Sequence, residues 1–394
     1  MRLLFLTSRL PYPPDRGDKR RTNQFLKLFA GEHSVTLVSF FAEERERLLA
    51  EELRPYCEAM HLIHLPLRRS VLNVALNFWR DLPLQALYYR SPQMERVLSD
   101  LLSQQTFDLA YVHLFRMAPY LIGEQQLYRI LDLTDLISYE LRLSIPYQST
   151  IWRSIYRIEE PRIARFEQRI ASKFDEVWFI SRRDRDLFQV SEDETKLQVI
   201  PSFTEDNLFN LKVAASDAPN LVFVGNMDVM HNIDAARYLV SEIMPHILSR
   251  FPECRLLIAA SGEGKEVRKM SGLPGVRVLD YAEDLRTVFE NSMIAVAPLR
   301  FSAGIQFKII EPMAAGLPVV ASTNATAGLG ATPGQDLLVA DDAEDFAWKV
   351  ILLLSDESLR RRIAGAGREF VQTNFSSRTA VHRLRKIDDR IGAA

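Results

Sequence analysis

The chain has 394 residues, 47% of them hydrophobic and 25% charged, a globular mixture that excludes both a single small module and intrinsic disorder. Its 49 basic and 51 acidic residues leave a net charge of −2, so nothing points to nucleic acid. Cys57 and Cys254 stand far apart, with no CxxC or Cys/His cluster, which argues against a disulfide framework and a zinc site and fits a reducing, cytoplasmic setting.

In MRLLFLTSRLPYPP a short apolar run meets Arg9 and three prolines, and reads as a first buried strand rather than a leader. The apolar runs Leu3 to Thr7, Val35 to Phe40 and Met60 to Leu65 alternate with helical patterns, the signature of a parallel α/β sheet. Asp18 is expected to cap the first helix, whose apolar face is Phe25, Leu28 and Phe29; Glu43 to Tyr56 reads as the second. Further strands are expected at Leu109 to His113, Arg129 to Thr134, Glu176 to Ile180 and Leu197 to Ile200, with a long helix near residues 151–172. Pro201 to Asn220, with two prolines and scattered apolar residues, reads as a linker.

Beyond it the alternation restarts at Leu221 to Gly225, Arg255 to Ala260, Val276 to Leu279, Met293 to Pro298, Val319 to Ser322 and Leu337 to Ala340. Three helical stretches close the chain. The expected fold is therefore α/β, with two Rossmann-like doubly wound domains, 1–200 and 201–375, facing across a cleft. The helix 376–394 either lies on the surface or packs back on the first domain. Of 16 glycines, Gly17, Gly31 and Gly123 precede residue 224 and the other thirteen follow it, which suggests different tasks for the two halves.

Ligands of open α/β sheets bind beyond the carboxyl ends of the strands. After the first strand, Gly17 stands before a helix that begins with Lys19, Arg20 and Arg21, a setting for an anion or simply a solvated basic face. No GxGxxG is present, so a dinucleotide cofactor is unsupported. His113 ends the fourth strand, where it either meets a sugar hydroxyl or caps the strand. Asp132 and Asp135 could share one face of a turn, although helix capping by Asp135 is the preferred reading.

The richest stretch is APLRFSAGIQFKIIEPMAAGLPVVAS, Ala297 to Ser322. A helix is expected from near Ile305 to Gly316, with the N–H groups of Gly304, Ile305 and Gln306 and the cation of Lys308 forming a diphosphate site. Glu311 in the same helix can accept from two vicinal ribose hydroxyls. The plain alternative is a capped helix with a Lys308/Glu311 surface pair.

With these residues the chain resembles the GT-B glycosyltransferases of glycosyltransferase family 4, in particular the bacterial exopolysaccharide branch found with exosortase systems. LPYPPDRGDKRR, RILDLTDLIS, FDEVWFISRRD, FVGNMDVMHNIDA and GIQFKIIEPMAAGLPVV carry the resemblance. It implies retaining, metal-independent, hexosyltransferase-type transfer from a nucleotide diphosphate sugar, a UDP- or GDP-sugar, with no further cofactor. It assigns Gly17, Gly225, Asn226, Gly304, Ile305, Gln306, Lys308 and Glu311 to the donor and Asp15, His113 and Asp135 to the acceptor side. Lys308, His113 and Glu311 are the catalytic candidates. The implied acceptor is a saccharide or a lipid-linked saccharide.

Three departures stand out. Ala303 occupies the place of a glutamate eight before Glu311, Asn226 and Asn232 replace an arginine and a lysine, and Phe307 replaces a polar residue. Arg300 or His231 is the expected substitute cation beside Lys308. A nucleotide-sugar epimerase on the same fold, or a catalytically silent nucleotide-binding or partner subunit, are the alternatives. Finally Val71 to Ser91, apolar and aromatic with flanking arginines, suits either contact with an anionic membrane or core packing.

Overall fold

The computed structural model describes residues 1–188, 194–211, 218–261, 265–279, 285–302 and 304–393. It divides into two units, Met1–Ile200 with Ile387–Ala394, and Pro201–Lys386.

Unit 1 is built on β1 (Arg2–Thr7), β2 (Ser34–Phe41), β3 (Ala59–His64), β4 (Leu109–His113), β5 (Tyr128–Thr134), β6 (Glu176–Phe179) and β7 (Leu197–Val199). They pair in the order β3-β2-β1-β4-β5-β6-β7, every pair parallel. Because both faces of such a sheet are covered, its strands are nearly continuous apolar runs. On one face Phe5 stacks on Tyr111 at 4.6 Å, and Phe25, Phe29 and Trp178 complete an aromatic layer. On the other, Leu4, Leu6, Val38 and Val112 meet Phe115 and Phe166.

Unit 2 repeats the plan with β8 (Asn220–Asn226), β9 (Arg255–Ser261), β10 (Val276–Leu279), β11 (Ile294–Ala297), β12 (Val319–Ala321) and β13 (Leu338–Val339), ordered β10-β9-β8-β11-β12-β13 and again parallel. In each unit the strand order reverses at one place, between β1 and β4 and between β8 and β11. Loops leaving the two strands of such a pair run in opposite directions and open a crevice, which is where open sheets bind ligands.

Two local expectations change. The first helix, Gly17–Ala30, has Arg16 at its N-cap with no side-chain cap, and Asp18 lies inside the first turn, drawn there by Arg9. The expected linker is in part docked structure: Ser202 and Thr204 are fully buried, Thr204 N–H donates to Phe375 O at 2.9 Å, and Leu208 is buried in a short turn, Asp206–Asn210. One backbone hydrogen bond to the helix Glu357–Phe375, and a second bond from the Arg368 side chain to Phe209 O, tie down this turn-rich segment.

Candidate active site

In unit 2 the crevice is lined by the ends of β8 and β11. Gly304 adopts φ +65°, a region that favours glycine, and Gln306 is extended. The helix therefore starts at Phe307, two residues later than the sequence suggests, and runs to Ala315 with Gly316 as a left-handed cap at φ +89°. Its first-turn amides, those of Phe307 and Lys308, join the expected donors at Gly304, Ile305 and Gln306.

Lys308 Nζ donates to Gln306 Oε1 at 3.0 Å, and burial pulls its ammonium down to about 7. An anion placed beside it would restore the charge. Glu311, one helical turn on, is buried, so the surface-pair reading fails. His231 is neutral: burial, helped by the charge of Lys308, lowers it to about 3. Arg300 is committed to Asp234, with Nε to Oδ2 at 2.9 Å and a second bond from Nη2 to Oδ1, and lies over the ring of Tyr238 at 5.2 Å. So His231 brings no charge, and the charge of Arg300 is met by Asp234. Ala303 lies outside the described residues.

Asn226 and Asn232 form a clasp rather than a charge pair. Asn232 is buried and its Nδ2 donates to Asn226 O at 2.8 Å, while Asn226 Oδ1 accepts from Asp228 N–H at 2.8 Å. Gly225 lets the helix Met230–Tyr238, which carries Asn232, close on β8, since a Cβ there would sit 3.0 Å from Asn232 Cγ. We expect Gly225→Ala to cost about 1–3 kcal/mol of stability by overpacking, read by urea unfolding, and Gly225→Ala with Asn232→Ala to regain part of it.

In unit 1 the ends of β1 and β4 hold a polar cluster. Asp18 accepts from Arg9 Nη1 at 2.6 Å and lies 3.9 Å from Arg116 Nη2. Burial alone would raise its pKa, but Arg9, Arg116 and Arg16 outweigh burial and hold the carboxyl well below its usual range. Arg116 is itself buried, donates to Ser8 Oγ at 3.0 Å and Gln85 Oε1 at 2.9 Å, and covers the ring of Tyr89. Sequence reading gave Asp18 only a capping role and assigned none to Arg9 and Arg116, although both arginines stand just after switch-point strands.

His113 is buried at the end of β4, and burial lowers it to about 4. It is thus a neutral hydrogen-bonding group at physiological pH. Arg21 does not join the expected basic face: it is fully buried and forks onto Asp132, with Nε to Oδ2 at 2.7 Å. Asp132 is spent in that pair and shares no ligand face with Asp135. Nor does Asp135 cap a helix, because the next one, Ile137–Ser144, has Leu136 at its N-cap. Burial, with Asp184 and Glu140 nearby, pushes the Asp135 carboxyl well up. Asp15 is exposed, 3.6 Å from Lys19 Nζ.

Residues 218–356 match the family described as glycosyl transferases group 1. That stretch holds β8 to β13 and the helix of Lys308 and Glu311, so the match falls within unit 2. The fold of the chain is GT-B: a sucrose-phosphate synthase from Thermosynechococcus elongatus has a TM-score of 0.72 at 16% identity, with 100% of this chain and 99% of that one covered. Anabaena HepE, solved in complex with UDP, gives 0.69 at 15% identity over 99% and 100% of the two chains. In sequence, the chain is 23% identical over 390 residues to an uncharacterized 44.6 kDa protein in a cps region of Klebsiella pneumoniae, covering 96% of this chain and 97% of that protein.

Proposed function

We propose that the chain is a retaining, metal-independent glycosyltransferase of family 4 that moves a sugar from a UDP- or GDP-sugar to a hydroxyl acceptor in bacterial polysaccharide or glycoconjugate synthesis. The observation that carries this reading is the first two turns of the helix Phe307–Ala315, where helix amides, a half-buried lysine and a buried glutamate occur together inside the matched stretch. HepE has been solved with UDP-glucose, and the Klebsiella relative is named for a cps region; both favour this donor class and role. The matched domain also favours transfer over epimerisation or a silent subunit.

In this reading the amides of Gly304 to Lys308 and the Lys308 ammonium hold the diphosphate, Glu311 accepts from the ribose hydroxyls, and Gly225, Asn226 and Gly17 let backbone approach the donor. His113, Asp15 and Asp135 serve the acceptor side, Asp135 as a neutral carboxyl that can donate. The acceptor oxygen bonds to the anomeric carbon as the bond from that carbon to the phosphate oxygen breaks, on the same face. The acceptor proton passes to the leaving phosphate oxygen, and the developing charge is met by Lys308 and the helix N-terminus. Nucleotide release and product mass spectrometry with a panel of nucleotide sugars test the reading.

We infer that the protein works in the cytoplasm at the inner membrane face, a reading that one surface of unit 1 supports. On and just after the helix Leu67–Asn77, Leu67, Val71, Leu72, Leu76, Phe78 and Trp79 are each more than half exposed, beside exposed Arg68, Arg69 and Arg80. That exposure removes the core-packing alternative for these six. Apolar side chains flanked by arginines suit an anionic lipid surface and a lipid-linked acceptor. Wild-type chain is expected to co-sediment with phosphatidylglycerol vesicles. Leu72→Asp with Trp79→Ala is expected to stay in the supernatant with an unchanged circular dichroism spectrum; equal sedimentation of the two would contradict membrane contact.

A further inference from the structure

Five hydrogen bonds converge on the buried carboxylate of Asp132. Oδ2 accepts from Arg21 Nε at 2.7 Å and from the Tyr111 hydroxyl; Oδ1 accepts from Arg21 Nη2 at 3.1 Å, Thr134 N–H at 2.9 Å and the Thr134 hydroxyl at 3.1 Å. A carboxylate paired with a guanidinium has no proton to give, so the single hydroxyl proton of Thr134 points to it. The lone pairs of Thr134 Oγ1 are then left for His113 Nε2, 3.2 Å away, which must be the donor. A neutral imidazole carries one proton, so Nδ1 is bare.

The backbone is bent to make this possible. Among the described residues, the non-glycine positions with positive φ are Leu114 (70°) and Thr134 (63°), directly after His113 on β4 and at the end of β5. A β-branched residue in the left-handed region is strained and persists where its surroundings hold it. The pairing of β5 with β6 also breaks register between Asp132 and Thr134, and such irregularities re-aim a side chain. Here the re-aimed group is the Thr134 hydroxyl.

We propose that Asp132 and Thr134 are positioning residues that hold His113 in its Nε2–H tautomer and leave Nδ1 as the acceptor for a substrate hydroxyl beyond the end of β4. The identity of that hydroxyl, one on a sugar, rests on the glycosyltransferase reading; the tautomer does not. The charged groups around the ring are Asp132, Asp18, Arg116 and Arg21; burial, aided by the two arginines, outweighs the two aspartates and keeps it neutral.

The test is nitrogen-15 NMR of the full chain labelled at histidine, at pH 7, with His113→Gln to assign the His113 signals among those of the seven histidines. The expected spectrum has His113 protonated at Nε2 and bare at Nδ1. In Thr134→Val, which keeps the side-chain shape, the ring is expected to lose its single tautomer and kcat to fall roughly tenfold, the scale of one strong hydrogen bond. Thr134→Ser, which keeps the hydroxyl, should restore both. A wild-type ring protonated at Nδ1, or a folded Thr134→Val with unchanged signals, would overturn the proposal. The wild-type spectrum decides by itself if the valine variant does not fold. It also decides if no donor is turned over, an outcome that would count against the proposed function alone.

Discussion

Lys308→Ala is expected to lower kcat by about 10²- to 10³-fold, the usual cost of removing a group aimed at developing charge, with the chain still folded. The size follows from the setting of the lysine. It is held by Gln306 at the start of a helix, with a neutral His231 beside it and Arg300 already paired to Asp234, so neither takes over its task. Burial brings the ammonium down to about 7 in the empty site, which gives the variant a second signature. Below pH 7 the lysine is already charged and meets a diphosphate fully. As pH rises above 7 the empty site loses that proton, and binding must recover it. The affinity for UDP or GDP should therefore fall as pH rises from 7 to 9, by up to about tenfold per pH unit, and the slope should vanish in Lys308→Ala. Isothermal titration calorimetry across that range reads it; a pH-independent wild type would contradict the role given to Lys308.

Arg21→Met is expected to destabilise unit 1 by about 3–5 kcal/mol, because it leaves the fully buried Asp132 carboxylate without its partner. Against a typical total of about 5–15 kcal/mol, that is enough to bring the chain near unfolding at growth temperature. Removing both charges, Arg21→Met with Asp132→Leu, should recover part of the loss. The recovery stops short because the Thr134 amide and the Tyr111 hydroxyl lose the acceptor they share. Chemical denaturation followed by tryptophan fluorescence is suited to the measurement, since Trp178 lies in the adjacent aromatic layer. A single variant as stable as wild type would show that the pair holds nothing.

Much of the architecture is legible in the sequence because parallel strands covered on both faces leave apolar runs with few interruptions, from Leu3 to Leu337. The helix of Lys308 and Glu311 is legible too, since Gly316 and Pro318 mark its end. Its start is displaced by the left-handed backbone of Gly304, which a sequence does not display. The other differences arise from partners distant in the chain. Arg21 reads as one of three surface cations until Asp132, 111 positions away, closes over it. Arg300 reads as a phosphate ligand until Asp234 claims it, and Asn232 as a lost cation until Gly225 makes room for its amide. Asp135 reads as a cap, yet the next helix begins at Ile137 without using it. Gly225, Gly304 and Gly316 give the glycine-rich second half a physical meaning, in close approach and left-handed turns.

The most direct test is nucleotide release from UDP- and GDP-sugars by the purified chain, with and without a lipid-linked saccharide acceptor. Release of UDP or GDP by the wild type, greatly reduced in a folded Lys308→Ala, with the sugar appearing on the acceptor in the anomeric configuration of the donor, is the predicted result. Equal release by both proteins, or conversion of the donor sugar to an epimer without transfer, would contradict it.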